Sequence, residues 1–309
     1  MIDTMNFWID TEKYPDAKIW RYNIPKENIS KRGADSYKGK IRNMQVFENV
    51  NGVRVEGSIA KFYNGNNVEN LTQEQYHNAL KDFEELTGLN LKQSKVIRVD
   101  YGRAVKIEKD VAAYLRLFGA VPRYKQDFVN GNTGVQSITY FNKTGAYCFC
   151  AYDKMQELAD NNEDAPELFE GCNVLRMEYR ILKPKGIRAK LGNGRNITPW
   201  ELEEKYSTLE QLYLDFYDAI PKVGRRVFFP QDKQYTPAEY QKIVSEYARQ
   251  IAPQEISDLK KSLVKNGCLT KQNLKRINAQ EKRNSKNCTF SDTNELIVEL
   301  NRKTHCRAF

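Results

Sequence analysis

One triplet recurs along the chain and constrains its fold more than any other feature. Arg54-Val55-Glu56, Arg98-Val99-Asp100 and Arg176-Met177-Glu178 each read arginine, apolar, acid. Each lies in a run with strand character, and in a strand residues two apart share a face. Every triplet therefore turns a guanidinium and a carboxylate to one side and an apolar residue to the other. If the strands share a sheet, three acids and three arginines converge on one face. One reading of such a face is solvated cross-strand ion pairs, which contribute little. The other is a divalent-metal site. Carboxylates are hard oxygen ligands suited to Mg²⁺ or Mn²⁺, and arginines beside them suit a phosphate.

The surrounding pattern alternates strand and helix over the first two-thirds of the chain. Thr72 and Gln75 form a capping box, followed by Tyr76, Ala79, Leu80, Phe83 and Leu86 at helical spacing, and Gly88 ends that helix. Asp110 to Phe118 reads as a short helix. Val135–Asn142 and Ala146–Ala151 read as strands joined by a turn at Lys143-Thr144-Gly145. Asp153 to Asp160 reads as helix, Asn173 to Leu182 as strand, and Pro184 to Gly194 as a loop. Beyond Ile197 the pattern becomes helical. Thr198-Pro199-Trp200-Glu201 and Thr236-Pro237-Ala238-Glu239 are both helix starts, and two more basic helices are expected near Ile256–Lys265 and Thr270–Arg283. The expected architecture is α+β, a central antiparallel sheet with flanking helices over residues 1–195, then a helical, basic region over 196–309.

Apolar residues make up 40% of the chain and aromatics 11%, enough for a packed core. No run approaches the length of a membrane helix, and Met1 to Lys13, with three acids, does not look like a secretory signal. A cytoplasmic protein is the expectation. The net charge of +9 is uneven: residues 256–309 hold 12 Lys/Arg against 5 Asp/Glu. A basic segment on a balanced body points to a nucleic-acid partner, although a solvated tail would look the same. The six cysteines show no pairing framework, and Cys148 and Cys150 read as small buried hydrophobes.

A second candidate is Tyr152-Asp153-Lys154, where a strand hands over to a helix. Such a junction holds a side chain rigidly at a sheet edge. Tyrosine can act as a covalent nucleophile, but its ordinary pKa near 10 leaves it weak at neutral pH unless a cation assists. On the residues alone, simple packing explains one tyrosine among 18 at least as well.

A resemblance changes that balance. Met1-Ile2-Asp3, Val55 to Lys61, Asn64 to Val68, Ile97 to Asp100, Ala151 to Lys154 with Glu157-Leu158, and Leu175 to Arg180 occur in an order and at intervals similar to the gene II/X family. These are the phage and plasmid replication proteins related to the gene II protein of filamentous phages, and the match covers about residues 1 to 190. The resemblance implies a rolling-circle Rep endonuclease-like fold. It implies an origin-nicking and -joining enzyme that forms a 5′-phosphotyrosine and frees a 3′-hydroxyl. Carried over position by position, Tyr152 is the nucleophile and Lys154 its partner. Asp100 and Glu178 are metal ligands for Mg²⁺ or Mn²⁺, with Glu56 as a third. Arg98, Arg176, Arg180 and Lys61 are expected to hold DNA. Aromatic platforms for an extruded base are expected at Tyr140, Phe141 and Tyr147. The implied partners are single-stranded DNA, origin duplex and a host helicase, with no membrane. Many such endonucleases bind metal through a His-hydrophobic-His motif. This chain has only His77 and His305, so its metal site must be built from carboxylates. Two readings compete: a non-catalytic origin- or single-strand-binding protein with the same fold, and a metal nuclease that uses water.

Overall fold

The computed structural model describes residues 1–131, 134–222, 226–227, 236–251, 253–284, 290–291 and 294–306. Ten longer strands are found: β1 (Ile2–Asp10), β2 (Ile29–Gly33), β3 (Ser36–Ile41), β4 (Met44–Asn49), β5 (Gly52–Ser58), β6 (Ser94–Ile107), β7 (Tyr124–Gly131), β8 (Gly134–Asn142), β9 (Tyr147–Asp153) and β10 (Asn173–Ile181). The chain divides into two compact units, residues 1–106 with 141–216, and residues 107–140 with 217–309. A single cut near residue 195 therefore does not separate them.

The first unit carries eight of the strands in the order β2-β3-β4-β5-β1-β6-β10-β9, antiparallel in every pairing with a defined register. Alternation divides this sheet cleanly. Phe7, Ile9, Val46, Val53, Val55, Val99, Tyr101, Phe149, Met177 and Tyr179 are buried on the back. Helices Gln73–Thr87 and Tyr206–Ala219 cover that back. Phe83 meets Phe7 and Phe62 edge-on, with centroids 5.8 and 5.6 Å apart. Phe216 stacks on Phe149 at 4.9 Å, and Tyr213 lies 5.8 Å from Tyr101. The start at Thr198 opens the short helix Pro199–Glu203, and these aromatic contacts place the separate helix Tyr206–Ala219 on the sheet of the first unit. Trp20, fully buried, donates from Nε1 to Glu48 at 2.8 Å.

The capping signals at Thr72 and Thr198 both form, each threonine accepting from the backbone N–H three residues on. Gly88 ends its helix at φ +71°. One reading is corrected: Pro184–Lys190 is a helix, not a loop. It has no apolar stripe to announce it, but proline opens it, Ile187 is buried, and Gly186 leaves room for the Tyr147 ring, 2.9 Å from where a Cβ would stand.

In the second unit the helices Pro237–Ile251, Pro253–Lys265 and Lys271–Asn284 realise the start at Thr236 and the two basic helices, with Lys260 paired to Glu281 at 2.5 Å. A further helix, Glu295–His305, was not expected from the sequence. Its Glu299 accepts from the Glu108 N–H at 3.1 Å and from the Tyr114 hydroxyl. Tyr140, far from being a base platform, is wholly buried and donates to the Gly119 carbonyl at 2.9 Å. The His77 ring is half-exposed and bonded to Glu203 at 2.9 Å.

Phe83 joins the capped helix to the back of the sheet. Phe83→Ala is expected to destabilise the chain by about 3–5 kcal/mol, read as a lower midpoint in urea unfolding.

Candidate active site

On the front of the sheet, opposite the aromatic layer, the registers bring the sequence candidates together. Glu178 of β10 faces Cys150 of β9, Arg176 faces Tyr152 and Arg180 faces Cys148. β6 lies on the other side of β10 and carries Arg98 and Asp100. Tyr152 is the last front-facing residue of β9. Immediately after it, Asp153 caps helix Lys154–Asp160, accepting from Met155 and Gln156 N–H. Tyr147 faces Ile181 on the back and stacks on Tyr179 at 6.4 Å, so the two tyrosines point to opposite sides.

The Tyr152 hydroxyl donates to Glu178 Oε1 at 2.9 Å. Arg176 donates to the same oxygen at 3.1 Å, while Arg180 donates to Glu178 Oε2 at 2.8 Å. Burial opposes the ionisation of Glu178, but Arg180 and Arg176 outweigh it and hold the carboxyl well below its usual range. Burial, then the Glu178 charge, push the Tyr152 phenol well above its ordinary value. Asp100 takes a fork from Arg98, with contacts of 3.0 and 2.5 Å, and lies 3.7 Å from Arg180. Burial pushes Asp100 up to about 6, although Arg98 and Arg180 pull the other way. Cys150 is buried with Sγ 3.7 Å from Glu178 Oε2, and burial raises its thiol.

An acid to which no role was attached completes the cluster. Asp3 of β1 accepts from Arg176 Nη2 at 2.7 Å, from Ser58 and, at 3.4 Å, from Asn67. Its signal in the sequence was a lone acid near the apolar residues Met1, Ile2 and Met5. Arg176 reaches it across β6 at Gly102. A Cβ there would stand 3.3 Å from Arg176 Nε and 2.6 Å from Glu178 Cγ, so the site needs a residue without a side chain.

Two assignments are corrected by this geometry. Arg176 is fully buried and bonded to Asp3, Glu178 and the Asn67 carbonyl, so it has no surface to offer DNA. Glu56 lies on β5, with β1 between it and β6, and pairs with Arg54 at 2.5 Å. It does not join Asp100 and Glu178, so the expectation of a third acid at that place is not met. Lys61 pairs with Glu163, and the wholly buried Lys154 with Glu157.

Among the described residues no three His, Cys, Asp or Glu side chains converge as a metal cluster. Asp100 and Glu178 nevertheless share one cation, the Arg180 guanidinium, at 3.7 and 2.6 Å. Mg²⁺ is commonly held by one or two carboxylates, with phosphate and water oxygens filling the rest. The donor chemistry of this pair fits such an ion.

A family model for the N-terminal part of the phage replication-associated protein of the gene II type matches residues 1–198, which include Asp3, Asp100, Tyr152 and Glu178. No curated protein matches the chain. A solved structure of the rolling circle replication initiator protein from Geobacillus stearothermophilus superposes with a TM-score of 0.39 at 10% identity, over 76% of this chain and 89% of that one. The di-domain ARO/CYC BexL from the BE-7585A biosynthetic pathway superposes with a TM-score of 0.23 at 12% identity, over 73% and 99%. Both superpositions are too loose to carry an assignment, and the fold rests on the chain's own sheet.

Removing one partner of a buried ion cluster leaves the others uncompensated. Arg176→Ala is expected to cost about 3–5 kcal/mol in chemical denaturation. An Arg176→Ala chain as stable as the parent would show that the cluster does not brace the sheet.

Proposed function

The chain belongs to the family of gene II-type replication-associated proteins, and on that premise we propose that it initiates rolling-circle replication by nicking and rejoining single-stranded DNA at an origin through Tyr152. The observation that carries this reading is the Tyr152 hydroxyl. It stands at the end of a strand, bonded to Glu178 at 2.9 Å, on the face that also holds Asp100 and Arg180.

In the proposed reaction the Tyr152 oxygen attacks the scissile phosphorus. A phosphorus–oxygen bond to tyrosine forms, the bond to the 3′-oxygen breaks, and that oxygen leaves as a 3′-hydroxyl. The phenol's proton passes by way of Glu178 Oε1, which already accepts it, to the departing 3′-oxygen; Glu178, held well below its usual range, relays that proton and does not keep it. Because burial raises the phenol, the step depends on positive charge around the phosphate. Arg180 and Arg98, each about one-third exposed, are placed to supply it. Asp100 and Glu178 would hold a divalent cation, and such an ion would add positive charge beside the phosphate. The phosphotyrosine keeps the energy of the diester, so a 3′-hydroxyl can reverse the step and reseal the strand without ATP.

In the second unit, helix Lys271–Asn284 presents Lys271, Lys275, Arg276, Lys282 and Arg283 on its exposed surface. This surface supports a proposed salt-sensitive grip on origin duplex. A host helicase to open the duplex remains part of the proposal. No helix among the described residues is long and apolar enough to cross a membrane.

One observation favours the non-catalytic alternative: the buried acids Asp3, Asp100 and Glu178 are each already bonded to an arginine. Capture of a covalent adduct decides. Tyr152→Phe is expected to abolish adduct formation on single-stranded oligonucleotides with Mn²⁺ while DNA binding persists. Tyr147→Phe, on the other face, is expected to retain the adduct. An adduct formed by Tyr152→Phe at the parental rate would sink the assignment. Absence of any adduct from the parent, with cleavage intact, would point to water. For the duplex grip, changing Lys275, Arg276 and Lys282 together to Gln is expected to flatten the slope of log affinity against log salt by up to about 0.9 for each phosphate no longer neutralised. An unchanged slope would exclude this helix from the interface.

A further inference from the structure

Beyond the active site, the registers of the first unit line up front-face side chains across the sheet. One row runs Lys38, Phe47, Arg54, Trp8, Lys95 from β3 through β4, β5 and β1 to β6. The next contains Lys40, Glu56 and Arg98. Lys95 and Arg98, three apart, share this side because the β1–β6 register shifts between them: Asn6 pairs with Arg98 while Phe7 pairs with Val96.

These rows set five cations against the single acid Glu56. Arg54 and Arg98 hold Glu56 and Asp100, whereas Lys38, Lys40 and Lys95 make no ion pair among the described residues. The Phe47 ring lies between two of the cations, with Lys38 Nζ 5.1 Å and the Arg54 guanidinium 5.2 Å from its centroid. Phe47 and Trp8 are half-buried, unlike the apolar residues on the back of the same strands, which are enclosed. The second row ends at Arg98, whose fork holds Asp100 beside the Glu178–Tyr152 pair.

Cations alternating with half-open rings suit a polyanion whose bases are free to stack. A duplex keeps its bases paired and stacked inside and would leave the rings without partners. We propose that this stripe is a track for single-stranded DNA, with phosphates on Lys38, Lys40, Arg54 and Lys95 and bases on Phe47 and Trp8, leading the strand to Tyr152. Four inter-strand spacings give it a span of about 19 Å. The proposal rests on the nicking reading for its direction, since the rows lead to that site. It also replaces Tyr140 as a platform, because Tyr140 is enclosed.

The test is binding of a labelled oligothymidylate to the full chain in EDTA, where no strand is cut, beside a hairpin duplex of the same label. Phe47→Ala is expected to weaken oligothymidylate binding about tenfold. Joint Lys38→Gln, Lys40→Gln and Lys95→Gln is expected to flatten its salt slope by about 0.7 for each phosphate no longer neutralised. Quenching of tryptophan emission by the oligonucleotide is expected to shrink in Trp8→Phe. Lys109→Gln, an exposed lysine of the second unit, should bind as the parent does. Should Phe47→Ala melt early by circular dichroism, the lysine variant, altered only at solvent-accessible positions, carries the test. Parental affinity and slope in the lysine variant, or equal weakening for oligothymidylate and duplex, would overturn the track. If the parent forms no tyrosine adduct while these variants bind oligothymidylate poorly, the nicking reading fails and the track stands. If the adduct forms and the variants bind normally, the reverse holds.

Discussion

The guanidinium of Arg176 is the contact on which the rest of the site depends. It rises from β10, passes over β6 where Gly102 leaves space, and reaches Asp3 on β1, bonding Glu178 and the Asn67 carbonyl on the way. One side chain thereby ties β10 to β1 across β6, and both to the segment after helix Ile59–Asn64. Such a cation is costly to bury, and that cost is offset only because its bonding directions are used and two carboxylates flank it. The same bond orients Glu178, whose oxygens then meet Tyr152 on one side and Arg180 on the other. Arg176 is fully enclosed and fixes the position of Glu178.

The sheet can support this cluster because its two faces do different work. The back is closed by aromatic packing of helices Gln73–Thr87 and Tyr206–Ala219, so the apolar contacts that hold the strands lie on the side away from the charges. Burial of apolar and aromatic surface on the back is the dominant stabilising term. The front can then hold charge in graded environments. Near β10 its acids are buried and bonded, with Asp100 and Glu178 pushed in opposite directions by their surroundings. Toward β3 it opens to solvent, with Arg54 and Lys40 exposed. A strand laid along that gradient would pass from screened, reversible contacts into a site of low dielectric, where charge acts strongly.

Much of this is legible in the sequence. Two-residue alternation marked the Arg-x-acid strands as one-faced, and short-range geometry sufficed for the capping boxes at Thr72 and Thr198 and for the handover from β9 to a helix after Tyr152. These signals are local, because a strand's period and a cap's hydrogen bonds involve residues only a few positions apart. The opposite facing of Tyr147 and Tyr152 follows from the same parity.

What alternation could not supply was strand order. Three equivalent triplets suggested three equivalent acids, but β1 lies between β5 and β6, which removes Glu56 and brings in Asp3. Nor does a triplet say which arginine is buried: Arg176 is fully enclosed while Arg54 remains 45% exposed, because the Gly102 gap and the Asn67 carbonyl give the Arg176 guanidinium an enclosed path to Asp3. The rows joining Phe47 and Trp8 to lysines are likewise invisible in one dimension, since their members come from four hairpin and crossover registers. The sequence by itself determined which residues face together along each strand, a matter of backbone period. Only the tertiary structure decided which strands are neighbours, because that depends on contacts between residues as far apart as Asp3 and Arg176.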